Sequence, residues 1–218
     1  MPPDETNLPH EGPLVKIIDQ VEDYSFGGLF RVVKARLEYR KFDGQWSREI
    51  TRINFERGDS VGVLLYDPGR DEVVLVRQFR YPVYAGLDPE AARGEGSRQA
   101  WLLELVAGII DPGASAVASA SQELLEEAGY MVQGALHPIA SIYPSPGGSS
   151  ERIDLFFGLV AQKDRVSAGG GLEQRGEDIQ VETVPFKEAM QMVEQGEICD
   201  AKTVIALQHL ALRKLRGV

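Results

Sequence analysis

The order of strand-like and helix-like segments constrains the fold of this chain more than any other sequence feature. Apolar and alternating runs predict strands near residues 14–55, 61–66, 72–81, 102–107, 135–142, 153–161 and 179–184. Helical periodicity predicts helices at residues 115–128, 186–195 and 202–215. Because strands outnumber helices without regular alternation, we predict an α+β fold with a mixed sheet rather than a doubly wound parallel sheet.

The first part of the chain has the pattern of a small antiparallel sheet. Alternating runs extend from Leu14 to Phe55, and Asp43-Gly44 between two of them is a hairpin signal. We therefore predict a small β domain at residues 1–57 and a main domain at residues 58–218. A sheet of so few residues buries little core alone, so its apolar face is expected to need a partner.

Charge and cysteine content exclude several classes of protein. Acidic residues outnumber basic ones 33 to 23, for a net charge of -10, which disfavours binding to a nucleic-acid polymer. A small anionic ligand is still allowed, because local arginines or a bound cation can reverse the field at one site. The single cysteine excludes an internal disulfide. With no secretory signal or membrane-length apolar run, a cytoplasmic protein without membrane contact is predicted.

The most informative segment is the helix predicted at residues 115–128. One apolar stripe is predicted to contain Val117, Ala120, Leu124 and Ala128. Beside it stand Glu123, Glu126 and Glu127, which repel one another unless a cation lies between them. Such oxygen ligands suit Mg²⁺ or Mn²⁺, which also bind phosphates. A solvated acidic face that ends at a glycine cap is the alternative interpretation.

The segment from residue 108 to residue 130 resembles the box of the Nudix hydrolase family, G-x5-E-x7-R-E-U-x-E-E-x-G-U. The matching positions are Gly108, Glu123, Leu124, Glu126, Glu127, Gly129 and Tyr130. Ala114 and Gln122 depart from it, where the family has a glutamate and an arginine. The resemblance covers nearly the whole chain and points to the ADP-ribose pyrophosphatase branch. It implies a Nudix-type mixed sheet sandwiched by helices, beside a small antiparallel N-terminal domain.

The resemblance also implies an activity, which is hydrolysis of the diphosphate bond of a nucleoside diphosphate sugar. ADP-ribose would give AMP and ribose 5-phosphate, with Mg²⁺ or alternatively Mn²⁺ as cofactor. The implied metal ligands are Ala107, through its backbone, and Glu123, Glu126, Glu127 and Glu177. The implied catalytic residues are Glu127, Glu173 and Glu177. GDP-mannose or another sugar nucleotide is the alternative substrate.

The positions that depart from the family's pattern leave the identity of the catalytic base open. Arg175 occupies the position where the family's loop carries its base, and Glu173 serves only if the loop is displaced by two residues. Ala114 and Gln122 replace both members of the charge pair that the family's glutamate and arginine form, so neither charge is left unpaired. A weakened metal site is therefore expected rather than none. The opposing interpretation is a catalytically silent scaffold that binds a nucleotide.

Substrate contacts and assembly are likewise implied by the resemblance. Arg52, Arg80 and Glu151 match positions that line the substrate cleft, and a planar guanidinium suits a diphosphate. Phe26 and Tyr81 are alternative candidates for stacking on the base. In this branch the small domain is exchanged between two subunits, so a homodimer with a composite site is predicted.

Overall fold

The computed structural model describes residues 12–216, which form two compact units. The first contains the chain up to Gly58 together with Ser145–Glu151, and the second contains Asp59–Pro144 with the chain from Arg152 onward. The division into domains at residues 1–57 and 58–218 stays a prediction.

The first unit is built on a three-stranded antiparallel sheet in the order β1-β2-β3. Its strands are β1 (Val15–Phe26), β2 (Phe30–Tyr39) and β3 (Ile50–Glu56). Gly27 and Gly28, both with positive φ, make the tight turn between β1 and β2, a conformation that glycine adopts without strain. Asp43-Gly44 lies in the wider connection from β2 to β3, where Arg40 and Trp46 form a bridge.

The second unit contains a seven-stranded mixed sheet. Its strands are β4 (Ser60–Asp67), β5 (Glu72–Phe79), β6 (Trp101–Glu104), β7 (Val106–Ile109), β8 (His137–Ile142), β9 (Ile153–Leu159) and β10 (Ile179–Pro185). The main path runs β10-β5-β4-β9-β8, while β6 pairs with β5 and β7 pairs with β4. The pair β4–β9 is parallel and the other pairs are antiparallel. The predicted mixed sheet is confirmed.

Five α-helices complete this unit. They are α1 (Tyr81–Ala85), α2 (Pro89–Arg93), α3 (Ala116–Glu123), α4 (Phe186–Gln195) and α5 (Ala201–Leu215). The first two are short and were not predicted: α1 begins at the last residue of the strand predicted at 72–81, and α2 lies between that strand and the one predicted at 102–107. Prolines stand in the first turn of both helices, and Asp88 caps the second. In the described part of the chain, no helix is both long and apolar enough to cross a membrane.

The hydrophobic core lies on both faces of the large sheet. Along β4, Val61, Val63 and Leu65 pack on the face covered by α3, and Leu64 packs on the face covered by α4 and α5. Successive strand residues point to opposite faces, so a strand buried on both sides is apolar throughout. The helices therefore sandwich the sheet, as predicted.

The apolar stripe of α3 differs from the prediction at one position. Ala120, Leu124 and Ala128 are buried against the sheet, but Val117 is 48% exposed. Ala116 takes the partly buried place instead, because it precedes Ala120 by one helical turn. The prediction for Val117 was wrong.

Candidate active site

We call α3 and the helical turn that continues it to Ala128 the carboxylate helix, and local sequence determines where it begins and ends. The Ser115 hydroxyl accepts a hydrogen bond from the Ala118 N–H at 3.2 Å and caps α3. The helix continues as one π-helical turn, Leu124–Ala128. It stops at Gly129, which has φ +73° and lies so close to the Ser167 carbonyl that a Cβ atom would overlap it.

Glu123 and Glu127 both point from this helix toward β7. The Glu127 Oε2 accepts a hydrogen bond from the Ala107 N–H at 3.2 Å. Glu123 lies directly against Gly108, where a Cβ atom would overlap its carboxylate. Glycine at position 108 therefore allows one carboxylate to approach the strand backbone.

Both carboxyl groups are buried, and burial raises their pKa values. Burial, with the neighbouring charge of Glu126, raises the pKa of Glu123 to about 7. Burial also raises the pKa of Glu127 to about 8, against the opposing effect of the Ala107 N–H. The negative charge of Glu177 contributes to both shifts. A bound cation would favour the ionised forms of these groups.

Glu126 lies one step further round the helix, and only one of its two carboxylate oxygens accepts a hydrogen bond within the described residues. Its Oε1 accepts a hydrogen bond from the Gln122 Nε2 at 2.8 Å. Its Oε2 is buried and makes no hydrogen bond to any residue of the described range 12–216. A buried carboxylate oxygen without such a partner is unfavourable unless a nearby cation compensates it.

The glycine-rich loop after Ser167 is attached to the end of the carboxylate helix. The Gly170 N–H donates to the Glu127 carbonyl at 2.8 Å, and the Gly171 N–H donates to the Glu126 carbonyl at 3.0 Å. Further along, Glu177 Oε2 accepts a hydrogen bond from the Leu172 N–H at 2.7 Å. These bonds place the loop beside the three glutamates of the helix.

Arg175 is the loop residue that contacts the cluster. Its Nη1 lies 3.8 Å from Glu123 Oε1 and 3.5 Å from Glu126 Oε2. Glu173, the alternative base, has an exposed side chain on the same short turn, Glu173–Arg175. The roles predicted for Glu173 and Glu177 stay predictions.

Arg80, predicted to bind substrate, is held by a buried acidic residue that the sequence analysis did not single out. Its Nε and Nη2 donate to the two carboxylate oxygens of Glu104 at 2.7 and 2.9 Å. Lys202 also pairs with Glu104, which is only 1% exposed. The signal was present in the sequence, since an acid inside the apolar run of residues 102–107 requires a buried partner.

Arg52 and Glu151 belong to the first unit. Arg52 is exposed on β3, and its Nη1 donates to the Thr51 carbonyl at 2.9 Å. Glu151 is 7% exposed and pairs with Arg57 at 3.6 Å. Their predicted role in substrate binding stays a prediction.

The three glutamates of the carboxylate helix suit a divalent cation by their chemistry. They offer hard oxygen donors, two carboxyl groups whose pKa is raised by burial, and the Glu126 oxygen that lacks a hydrogen bond. As arranged within residues 12–216, no three acidic, histidine or cysteine side chains converge into a ready metal cage. Instead, Glu123 packs against Gly108, Glu127 accepts a hydrogen bond from Ala107, and Glu126 accepts one from Gln122. Arg175 also pairs with Glu123 and Glu126, so a cation would have to replace some of these contacts.

Comparisons with known proteins agree on one family. The NUDIX domain matches residues 56–207. The chain is 42% identical over 189 residues to an ADP-ribose pyrophosphatase of Escherichia coli K12, covering 86% of this chain and 84% of the relative. It is 39% identical over 171 residues to a GDP-mannose pyrophosphatase of Cronobacter sakazakii, covering 78% of this chain and 82% of the relative.

A solved structure agrees at the level of the fold. The crystal structure of an ADP compounds hydrolase superposes with a TM-score of 0.66 at 19% identity, covering 95% of this chain and 98% of its own. The carboxylate helix with its supporting glycines lies inside the matched domain. This chain therefore belongs to the NUDIX domain family.

Proposed function

We propose that this protein hydrolyses the diphosphate bond of a nucleoside diphosphate sugar, with ADP-ribose as substrate and AMP and ribose 5-phosphate as products. The single observation that carries the proposal is the buried carboxylate pair Glu123 and Glu127, seated on Ala107 and Gly108 within a NUDIX domain. The choice of ADP-ribose rests on the 42% identity to a relative with that activity in its name.

The glutamates of the carboxylate helix would hold the cofactor, with Mg²⁺ as the proposed ion and Mn²⁺ as the alternative. The proposed ligands are the Ala107 backbone, Glu123, Glu126, Glu127 and Glu177. When bound, such a cation would supply positive charge against the diphosphate and would increase the acidity of a water molecule. The protein supplies the fixed carboxylates, whose positions depend on Gly108 and on the 170–177 loop.

In the proposed reaction, water attacks one phosphorus atom and the bond from that phosphorus to the bridging oxygen breaks. A carboxylate accepts the proton from the water, and Glu127, Glu173 and Glu177 are the candidates. Arg80 is suited to bind the diphosphate, because Glu104 holds its Nε and Nη2 while Nη1 makes no hydrogen bond within the described residues. A guanidinium fixed in this way loses little freedom when it binds an anion.

The proposed assembly is a cytoplasmic homodimer in which the small sheet is exchanged and Arg52 and Glu151 line the cleft. The outer strand β1 supports it, because it exposes large apolar side chains that a second copy could cover; these are Val15, Ile17, Ile18, Val21, Tyr24 and Phe26. Light scattering coupled to gel filtration measures the mass in solution. We expect the mass of two chains, and the mass of one chain would contradict the dimer.

The activity is tested with ADP-ribose, Mg²⁺ and a phosphatase, which releases phosphate from AMP and ribose 5-phosphate but not from the intact diphosphate. We expect metal-dependent phosphate release by the wild type and a loss of about 100-fold or more in Glu127→Gln, because a neutral amide is a poor ligand for a hard cation. Glu188→Gln, on the exposed side of α4, is the matched control and should retain activity.

GDP-mannose is the second candidate substrate, favoured by the 39% identical relative. Parallel assays with both nucleotides rank them by kcat/KM, and a clear preference for GDP-mannose would replace ADP-ribose in the proposal. Ala114 and Gln122 also allow the alternative interpretation of a catalytically silent scaffold. Such a protein would bind ADP-ribose in calorimetry but would form no AMP at micromolar enzyme concentration.

A further inference from the structure

A positively charged side chain of the protein itself, Arg175, lies against the carboxylate cluster that the glutamates of the carboxylate helix form. Arg175 Nη1 lies within 4 Å of both Glu123 and Glu126, with the buried Glu126 Oε2 as its nearer partner at 3.5 Å. The separation is that of an ion pair, but no hydrogen bond forms. A guanidinium in this place compensates the charge without being tightly bound.

The backbone of the loop determines where Arg175 lies. The loop begins with two hydrogen bonds to the helix carbonyls of Glu126 and Glu127. It then closes a short turn in which the Arg175 N–H donates to the Leu172 carbonyl at 2.8 Å. The side chain is 46% exposed, so it can leave the cluster toward solvent without unfolding the loop.

We propose that Arg175 is a built-in competitor for the divalent cation: its guanidinium pairs with Glu123 and Glu126 in the metal-free protein and leaves them when a metal binds. This inference rests on the proposed function, since it takes Glu123 and Glu126 as metal ligands. Two positive charges cannot share these carboxylates at close range without strong repulsion. Arg175 therefore lowers the affinity of the free protein for metal and stabilises the metal-free fold.

The first test measures Mn²⁺ binding to the nucleotide-free protein by electron paramagnetic resonance, which counts the ions left in solution. We expect Arg175→Gln to bind Mn²⁺ about tenfold more tightly than the wild type, because the competing charge is gone. Arg175→Lys keeps the charge and should stay close to the wild type. Arg98→Gln removes an equal charge from an exposed side chain that pairs only loosely with Glu95 and should change the affinity less than twofold.

The second test measures thermal unfolding with and without Mn²⁺. Arg175→Gln should lower the melting temperature of the metal-free protein and increase the gain that saturating Mn²⁺ produces. A structural role alone would lower both temperatures equally.

The outcomes separate this inference from the proposed function. Equal Mn²⁺ affinities in the wild type and Arg175→Gln, or equal tightening in Arg98→Gln, would overturn the role of Arg175 while leaving the metal site in place. Absence of Mn²⁺ binding in every variant would overturn the metal site and the proposed function with it.

Discussion

At the scale of single residues, the site depends as much on an absent side chain as on the glutamates. Gly108 leaves room for the Glu123 carboxylate directly over the strand backbone. The clashing atoms belong to the flexible end of Glu123, so an added methyl group would displace that carboxylate and leave the sheet largely unchanged.

We therefore expect Gly108→Ala to retain the fold and lose metal affinity by about tenfold or more, since a ligand moved by about 1 Å no longer completes the site. Calorimetric titration with Mn²⁺ measures the loss, and circular dichroism verifies the fold. Gly134→Ala is the control, because a Cβ atom there meets nothing within 4 Å. Unchanged Mn²⁺ affinity in Gly108→Ala would mean that Glu123 is not a ligand.

At the scale of elements, the sequence predicts most strands and helices but misses where one strand changes partner. Residues 102–107 were predicted as one strand, whereas β6 pairs with β5 and β7 pairs with β4. Leu105 lies at the break, and its N–H donates to the Thr203 hydroxyl on α5 at 2.9 Å. Periodicity describes neighbours along the chain, so it carries no information about a hydrogen-bond partner such as Thr203, which lies 98 residues further along.

The same limit applies to the site. The box residues on α3 could be identified from spacing, because they lie on one helix and share a motif. The contact of Arg175 with Glu126 and the support of Arg80 by Glu104 could not, since each depends on how a loop or strand packs against another element. Local patterns are therefore enough to identify the candidate glutamates, while tertiary packing determines which charged side chains lie next to them.

The bond from Leu105 to Thr203 gives a prediction about how α5 is held on the sheet. Thr203→Val keeps the shape of the side chain but leaves the buried Leu105 N–H without an acceptor, which costs about 1–3 kcal/mol. Urea unfolding should show this loss in the free energy of unfolding. Thr183→Val, on the exposed side of β10, should change it by about 0.5 kcal/mol or less. Equal values for both variants would show that the hydroxyl contributes nothing to the attachment.

At the scale of the whole molecule, the buried carboxyl groups of Glu123 and Glu127 link the stability of the fold to pH. The pKa values of Glu123 and Glu127, raised to about 7 and about 8, lie above the ordinary glutamate value of 4.5, so the folded state retains protons that the unfolded chain has lost. The stabilisation from these protons is complete below pH about 4.5 and disappears as the pH rises through the folded pKa values. Glu104 acts in the opposite direction: despite its burial, Arg80 and Lys202 lower its pKa, so its contribution is lost on the acid side.

The metal-free protein should therefore lose stability between pH 5.5 and pH 8.5, by an amount on the order of several kcal/mol, because each pKa unit corresponds to about 1.4 kcal/mol. A divalent cation replaces the protons, so saturating Mg²⁺ should stabilise the protein more at pH 8.5 than at pH 5.5. Urea unfolding at both pH values, in EDTA and in Mg²⁺, measures the two slopes. Glu127→Gln, which has no proton to lose at this position, should flatten the slope in EDTA and reduce the gain from Mg²⁺. A slope in EDTA that is the same in the wild type and in Glu127→Gln would mean that the buried carboxyl at position 127 is ionised in the folded protein across this range.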